Sequence, residues 1–137
     1  YETSAVISLI NCREQLAITY DPNWLQAWRK RFGDPLLDAE TFSINSSNQI
    51  IDIGNKPSDV KEIHGQYMGL LRITPESWRQ IVCVLSKLSQ KERNKVSMTM
   101  ILQKVIKNSK RPVIGVSYEG EWGEIDSETD LEIFNSK

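Results

Sequence analysis

Apolar residues along the chain alternate between two rhythms, one of every second residue and one of every third or fourth, and the switches between them mark out the elements. Thr3 or Ser4 can cap a first helix whose stripe is Val6, Leu9 and Ile10, and Leu16 to Tyr20 then reads as a strand. Asp21 is a good N-cap with Pro22 at the first helical position, so a second helix should carry Trp24, Leu25, Trp28 and Phe32 on one face until Gly33 stops it. Its Trp residues then belong mainly to the core. Phe42 to Ile44 and Ile50 to Ile53 are short β-rich segments joined through Ser46-Ser47-Asn48, a hairpin running into Gly54-Asn55-Lys56-Pro57. Gln66 to Ile73 is another strand, interrupted by Gly69. Thr74-Pro75 opens a helix with Trp78, Ile81, Val82, Leu85 and Leu88 at three- and four-residue intervals. Ser86 to Lys95 is mostly polar and reads as a solvated loop or helix end. A further helix shows Met98, Ile101, Leu102, Val105 and Ile106 on one face, with Lys104, Lys107 and Lys110 elsewhere on it. Val113 to Tyr118 is a final strand, and Ser127 with Asp130 three positions on forms a capping box for a last helix through Leu131 and Phe134.

Strands alternating with amphipathic helices predict an α/β domain with an inserted antiparallel hairpin, one domain over residues 1–137. Composition changes this picture little. With 17 Lys+Arg against 18 Asp+Glu the chain is nearly neutral, which argues against a general attraction to nucleic acid or to an anionic membrane. The charges are nonetheless uneven. Eight of the positive charges fall between Lys87 and Arg111, while residues 119–137 hold seven acids. Lysines in a last helical turn complement the helix dipole, and no aromatic residues are interleaved with them, so the basic run is read as a solvated face rather than a nucleic-acid surface. No apolar run approaches the length of a membrane span and no signal-peptide pattern opens the chain, so a cytoplasmic location is the default expectation. Cys12 and Cys83 lack a C-x-x-C spacing and are expected to be reduced thiols. The chain begins with Tyr1 followed at once by a helix cap, as though cut inside a domain.

There is no Gly-rich phosphate loop, no G-x-S-x-G and no Cys/His cluster, and the single histidine, His64, has no second His for a triad or metal site. Two places can carry chemistry. One is Gly54-Asn55-Lys56-Pro57 followed by Glu62-Ile63-His64-Gly65-Gln66-Tyr67-Met68-Gly69, where glycines permit close backbone approach and a lysine in a Pro-fixed turn can meet a phosphate. A purely structural turn explains the same residues. The other is Trp122-Gly123-Glu124-Ile125-Asp126. An Asp between a strand and a helix can present its carboxylate to a divalent cation, and it can equally serve the helix cap.

Gly54-Asn55-Lys56-Pro57, Gly65-Gln66-Tyr67-Met68-Gly69-Leu70-Leu71, Met98-Thr99-Met100-Ile101-Leu102-Gln103 and the segment Gly120 to Leu131 occur in a telling order. In this order and spacing the sequence resembles the C-terminal half of the sugar-phosphate and phosphocholine/phosphonate nucleotidyltransferases, and Trp122-x-Glu124-Ile125-Asp126 is the most specific part of the likeness. The resemblance implies a partial Rossmann-like fold, a mixed sheet flanked by helices with an inserted hairpin, without the N-terminal half that binds the NTP. It implies a Mg2+-dependent reaction in which a phosphorylated small molecule attacks the α-phosphorus of an NTP and pyrophosphate leaves.

On the same likeness Asp126 matches a metal-binding Asp and Lys56 the lysine that approaches the acceptor phosphate, a catalytic role, with Glu62, Gly65 and Tyr67 on the acceptor. The first metal Asp and the NTP loop have no counterpart here, so the chain alone is expected to be inactive, and a non-catalytic binding or regulatory module of the same fold is the alternative. Asn55 stands where many sugar-type members have Glu, and Ser97 where an Asp is expected before Met-Thr. A cationic acceptor, such as phosphocholine or an aminoalkyl phosphonate, could be held by carboxylates and by Trp24, Trp28 or Trp122. Loss of neighbouring strands would leave an open edge or apolar face, from which self-association into a homo-oligomer is expected.

Overall fold

The computed structural model describes residues 1–108 and 111–135; Lys110 and the Phe134 side chain, both named above, lie outside that description. The elements in chain order are α1 (Thr3–Asn11), β1 (Leu16–Asp21), α2 (Leu25–Phe32), β2 (Phe42–Ile44), β3 (Ile50–Ile53), β4 (Gln66–Ile73), α3 (Pro75–Ser86), α4 (Gln90–Arg93), α5 (Met98–Asn108), β5 (Ile114–Ser117) and α6 (Glu128–Asn135). The fold is α/β, with a mixed three-stranded sheet in the order β4-β1-β5 and a separate β2-β3 hairpin.

Every residue of β1 is buried, which explains its unbroken run of apolar and β-branched side chains: it is the central strand, covered on both faces. β4 runs antiparallel to it from Leu16↔Ile73 to Asp21↔Gln66, and β5 runs parallel to it from Ala17↔Ile114 to Tyr20↔Ser117. Between the pairs Ile18↔Leu71 and Tyr20↔Tyr67 the ladder slips, so that Met68, Gly69 and Leu70 stand opposite Thr19. Gly69 turns this bulge with φ 80°, a left-handed conformation that side chains resist, and Thr19 Oγ1 donates to Leu70 O across it at 3.2 Å.

The main core lies where α3, α5 and the hairpin meet one face of β1. Ile18, Phe42, Ile53, Ile81, Leu102, Val105 and Val113 are each essentially inaccessible there, and Tyr20 stacks obliquely on Phe42 with ring centroids 4.9 Å apart. The hairpin is pinned to the sheet by Ile50 N–H donating to Val113 O and Gly115 N–H donating to Asn48 O. A second cluster gathers Trp24, Trp28, Ala39 and Ile63, and a third joins Ala5, Met68 and Tyr118 on the far side of the sheet.

Four expectations need correction. Asp21 does not cap α2: it ends β1, its Oδ1 accepts from Asn23 N–H at 2.6 Å in a local turn, its Oδ2 accepts from Trp122 Nε1 at 2.9 Å, and the helix begins at Leu25. No side chain caps α1; Ser4 Oγ instead lies 3.0 Å from the Tyr118 hydroxyl. Ile10, Trp78 and Val82 belong to the helical stripes by spacing yet are largely exposed, because α1 and α3 each turn only part of that stripe toward the sheet. Within the basic stretch, Ser89 and Glu92 form a reciprocal capping box that starts the one-turn helix α4. The capping box at Ser127 and Asp130 is present, with each side chain accepting the other's N–H.

Leu102 is fully enclosed between α3, the hairpin and the sheet, so Leu102→Ala is expected to lower unfolding free energy by about 2–5 kcal/mol in urea titrations. A loss below about 1 kcal/mol would show that the core can collapse around the missing atoms.

Candidate functional site

A cavity of about 340 Å³ opens where the start of β4, the hairpin, the first turn of α5 and the long loop after β5 converge. Its wall carries four carboxylates, Asp38, Glu40, Glu124 and Asp126, beside the aromatic rings of Trp28 and Tyr67.

Each wall residue is placed by local chemistry. Gln66, buried at the start of β4, donates from Nε2 to Glu40 O at 2.9 Å, which fixes the backbone before the hairpin. Thr99 Oγ1 donates to Glu40 Oε1 at 3.2 Å and so aims that carboxylate. Ser97 Oγ accepts from Met100 N–H at 3.2 Å and opens α5 against the same wall. Trp28 Nε1 donates to Asp38 Oδ2 at 3.2 Å, leaving the ring beside the space.

The loop bearing Glu124 and Asp126 has no regular structure, and one arginine on α2 holds it. Arg31 donates from Nε to Asp130 Oδ1 at 2.8 Å, and from one terminal nitrogen to Asp130 Oδ2 at 3.2 Å and to Asp126 Oδ2 at 3.0 Å. Its other terminal nitrogen lies 3.8 Å from Glu124 Oε2. The guanidinium also sits over the rings of Phe32 and Trp28, 4.8 and 5.5 Å from their centroids. Asp130 further accepts from the N–H groups of Asp126 and Ser127, both at 3.1 Å. The bond from Arg31, followed by those from Ser127 and the Asp126 backbone, holds the Asp130 carboxyl well below the usual carboxylate range. Glu124 is shifted the other way, raised first by burial and then by the neighbouring Asp126 charge. Burial, with a smaller contribution from Glu124, pushes the Tyr67 hydroxyl up to about 12.

Of the residues singled out from the sequence, Trp28, Tyr67, Ser97, Glu124 and Asp126 share this cavity, whereas Trp24 and Trp122 lie outside its lining. Lys56 is exposed and lies outside its lining, although Ile53, three positions earlier, is on the wall and Asn55 N–H donates to Thr41 Oγ1 there at 3.1 Å. Glu62 spends both carboxylate oxygens on Ser58, accepting from its N–H at 3.0 Å and its hydroxyl at 2.7 Å. Gly65 makes room for the protein itself: a Cβ there would stand 2.4 Å from Tyr20 Cδ2 and 3.0 Å from Asp21 O. Sequence reasoning missed Asp38, Glu40 and Arg31. Only Arg31 left a trace, as a charge on the apolar side of α2 near Trp28.

No family model matches the chain. It is 34% identical over 139 residues to the CTP:phosphoglutamine cytidylyltransferase of Campylobacter jejuni. The alignment takes in 97% of this chain and 54% of that protein, so the chain spans about half the length of its curated relative. The similarity is therefore to a nucleotidyltransferase, and it runs through the cavity and both motif regions. Glu124 and Asp126 carry carboxylates two residues apart on the cavity wall, oxygen donors of the type that a hard divalent cation takes together with substrate oxygens and waters. Among the described residues no three His, Cys, Asp or Glu side chains gather as a self-sufficient metal cluster, so any such site would need oxygens from elsewhere.

Because the raised Glu124 pKa means that its charge costs stability in the folded state, Glu124→Gln is expected to raise the thermal midpoint at neutral pH. The gain should shrink as pH falls through the raised value and vanish below the ordinary glutamate range, where both folded and unfolded parent are protonated. Thermal unfolding from about pH 3 to 8 measures this; a variant less stable at pH 7 would mean that the Arg31 contact outweighs the burial.

Proposed function

We propose that the chain is the acceptor- and metal-binding half of a nucleotidyltransferase. In the reaction, a phosphate oxygen of a small-molecule acceptor forms a bond to the α-phosphorus of an NTP, the bond to the bridging oxygen of the β-phosphate breaks, and pyrophosphate leaves. The observation that carries this reading is the match to a cytidylyltransferase through nearly the whole chain. A bound Mg2+ would supply charge neutralisation for the displaced and attacking oxygens.

The chain's own residues then divide the acceptor between two kinds of contact. Lys56, in the turn beside the wall residue Thr41, is the cation proposed for the acceptor phosphate, as a mobile point charge on a long stem. Glu40 and Asp38, on the same cavity wall as Trp28 and Tyr67, suit the other end of an acceptor that bears an ammonium group. The relative's acceptor, phosphoglutamine by its name, is a phosphorylated nitrogen-rich molecule, which supports a nitrogen-bearing acceptor over a sugar phosphate. Asp126, with Glu124, is proposed to hold the metal, and Tyr67, kept protonated by its raised pKa, remains a hydrogen-bond donor throughout the physiological range.

Ligand-induced thermal shifts of the chain test the acceptor class, since a ligand that binds only the folded state raises its stability by RT ln(1 + [L]/Kd). At about 100 times Kd, which is about 2.7 kcal/mol, phosphocholine or phosphoglutamine should raise the midpoint by several degrees, and glucose 1-phosphate should do so much less. Glu40→Gln should erase that difference. Equal shifts for cationic and neutral phosphates, in the parent chain, would remove the cationic acceptor from the reading.

A further inference from the structure

The three carboxylates around Arg31 are held very unequally. Asp130 receives two of its nitrogens and three further hydrogen bonds from residues 126–127, and its side chain is 6% exposed. Asp126 receives a single nitrogen, already shared with Asp130, and its side chain is 74% exposed on the wall of the acidic cavity. Glu124, at 3.8 Å, is within ion-pair reach only. Arg31 itself is 8% exposed, anchored by Asp130 and by two aromatic faces, and cannot lose its proton at any ordinary pH. One end of the bridge is therefore fixed and the other is exchangeable.

We propose that the Arg31–Asp126 ion pair is an exchangeable contact in which Arg31 serves as the internal counter-ion for Asp126 until a divalent cation in the acidic cavity takes its place. Arg31 stays on Asp130 when this happens, and only Asp126 rotates away, toward space its side chain already borders. The fork of the guanidinium makes the exchange graded rather than all-or-none, because the nitrogen given up by Asp126 keeps its bond to Asp130. Arg31 thereby sets how readily the loop accepts a cation: its charge competes directly with the ion. The inference deepens the proposed function and rests on the metal reading of Asp126.

Mn2+ titration of the chain, followed by the electron paramagnetic resonance of free Mn2+, tests it without any turnover. Arg31→Gln combined with Asp130→Asn removes the competing cation together with its buried partner and replaces the ion pair that ties the loop by two amides that can bond each other; continued protection of the Asp126 and Ser127 amides from exchange shows that the loop keeps its place. This protein should bind Mn2+ about tenfold more tightly than the parent chain, and added Asp126→Asn should abolish the gain. Arg31→Lys supplies a second test that keeps a charge on Asp130: one ammonium cannot serve both carboxylates at the same geometry, so affinity should rise severalfold. Mn2+ binding that is equal or weaker in both variants would overturn the counter-ion role while leaving the metal site standing. Absence of Mn2+ binding in the parent and in every variant would overturn the metal reading and this inference with it.

Discussion

The buried pairing of Arg31 with Asp130 is the contact on which the candidate site depends. The segment between β5 and α6 has no ladder or helix to place it, and it must satisfy its backbone and its acids some other way. Arg31 does so from α2. By binding the residue that also caps α6, it ties the start of that helix, the carboxylates before it and the tryptophan cluster of α2 into one unit. A lysine could not make the same set of contacts, since the arrangement uses the planar fork and its stacking face together. The second tie is Trp122 Nε1 on Asp21, which fastens the beginning of the loop to the end of the central strand.

Given that loop, the remaining walls follow from the sheet. Residues 40 and 66 are bonded to each other where β4 starts, the hairpin closes against Val113 and Gly115, and α5 begins beside Glu40 through Thr99. Four carboxylates from two distant parts of the sequence, residues 38–40 and 124–126, thus face one space. Burial first, and then the neighbouring Asp126 charge, raise the pKa of Glu124 there.

Much of the architecture was legible from the sequence because it rests on local rules. The hairpin, the β4 strand with its Gly69 interruption, the Thr74-Pro75 helix start and the Ser127–Asp130 box depend on periodicity, turn residues and caps within a few positions. What was not legible depends on partners far along the chain. Asp21-Pro22 has the form of a helix start, but Trp122, 101 positions away, takes up one oxygen of that carboxylate. Gly65 has the form of a ligand-approach glycine, and the close approach it permits is to the Tyr20 ring. Asp38 and Glu40 are ordinary loop acids in sequence and become a cavity wall only when residue 40 is bonded to residues 66 and 99. Glu62 shows the opposite effect: a motif acid whose oxygens are occupied by a neighbour four residues away.

Amide hydrogen exchange across residues 122–130, compared between the parent chain and Arg31→Gln, tests most directly whether Arg31 holds the carboxylate loop. The Asp126 and Ser127 amides, which donate to Asp130, should be protected in the parent and exchange much faster in the variant, while the amides of β1 keep their protection as an internal measure of folding. Equal exchange of the loop in both proteins, with β1 intact, would contradict the account and assign the loop's position to the helix cap alone.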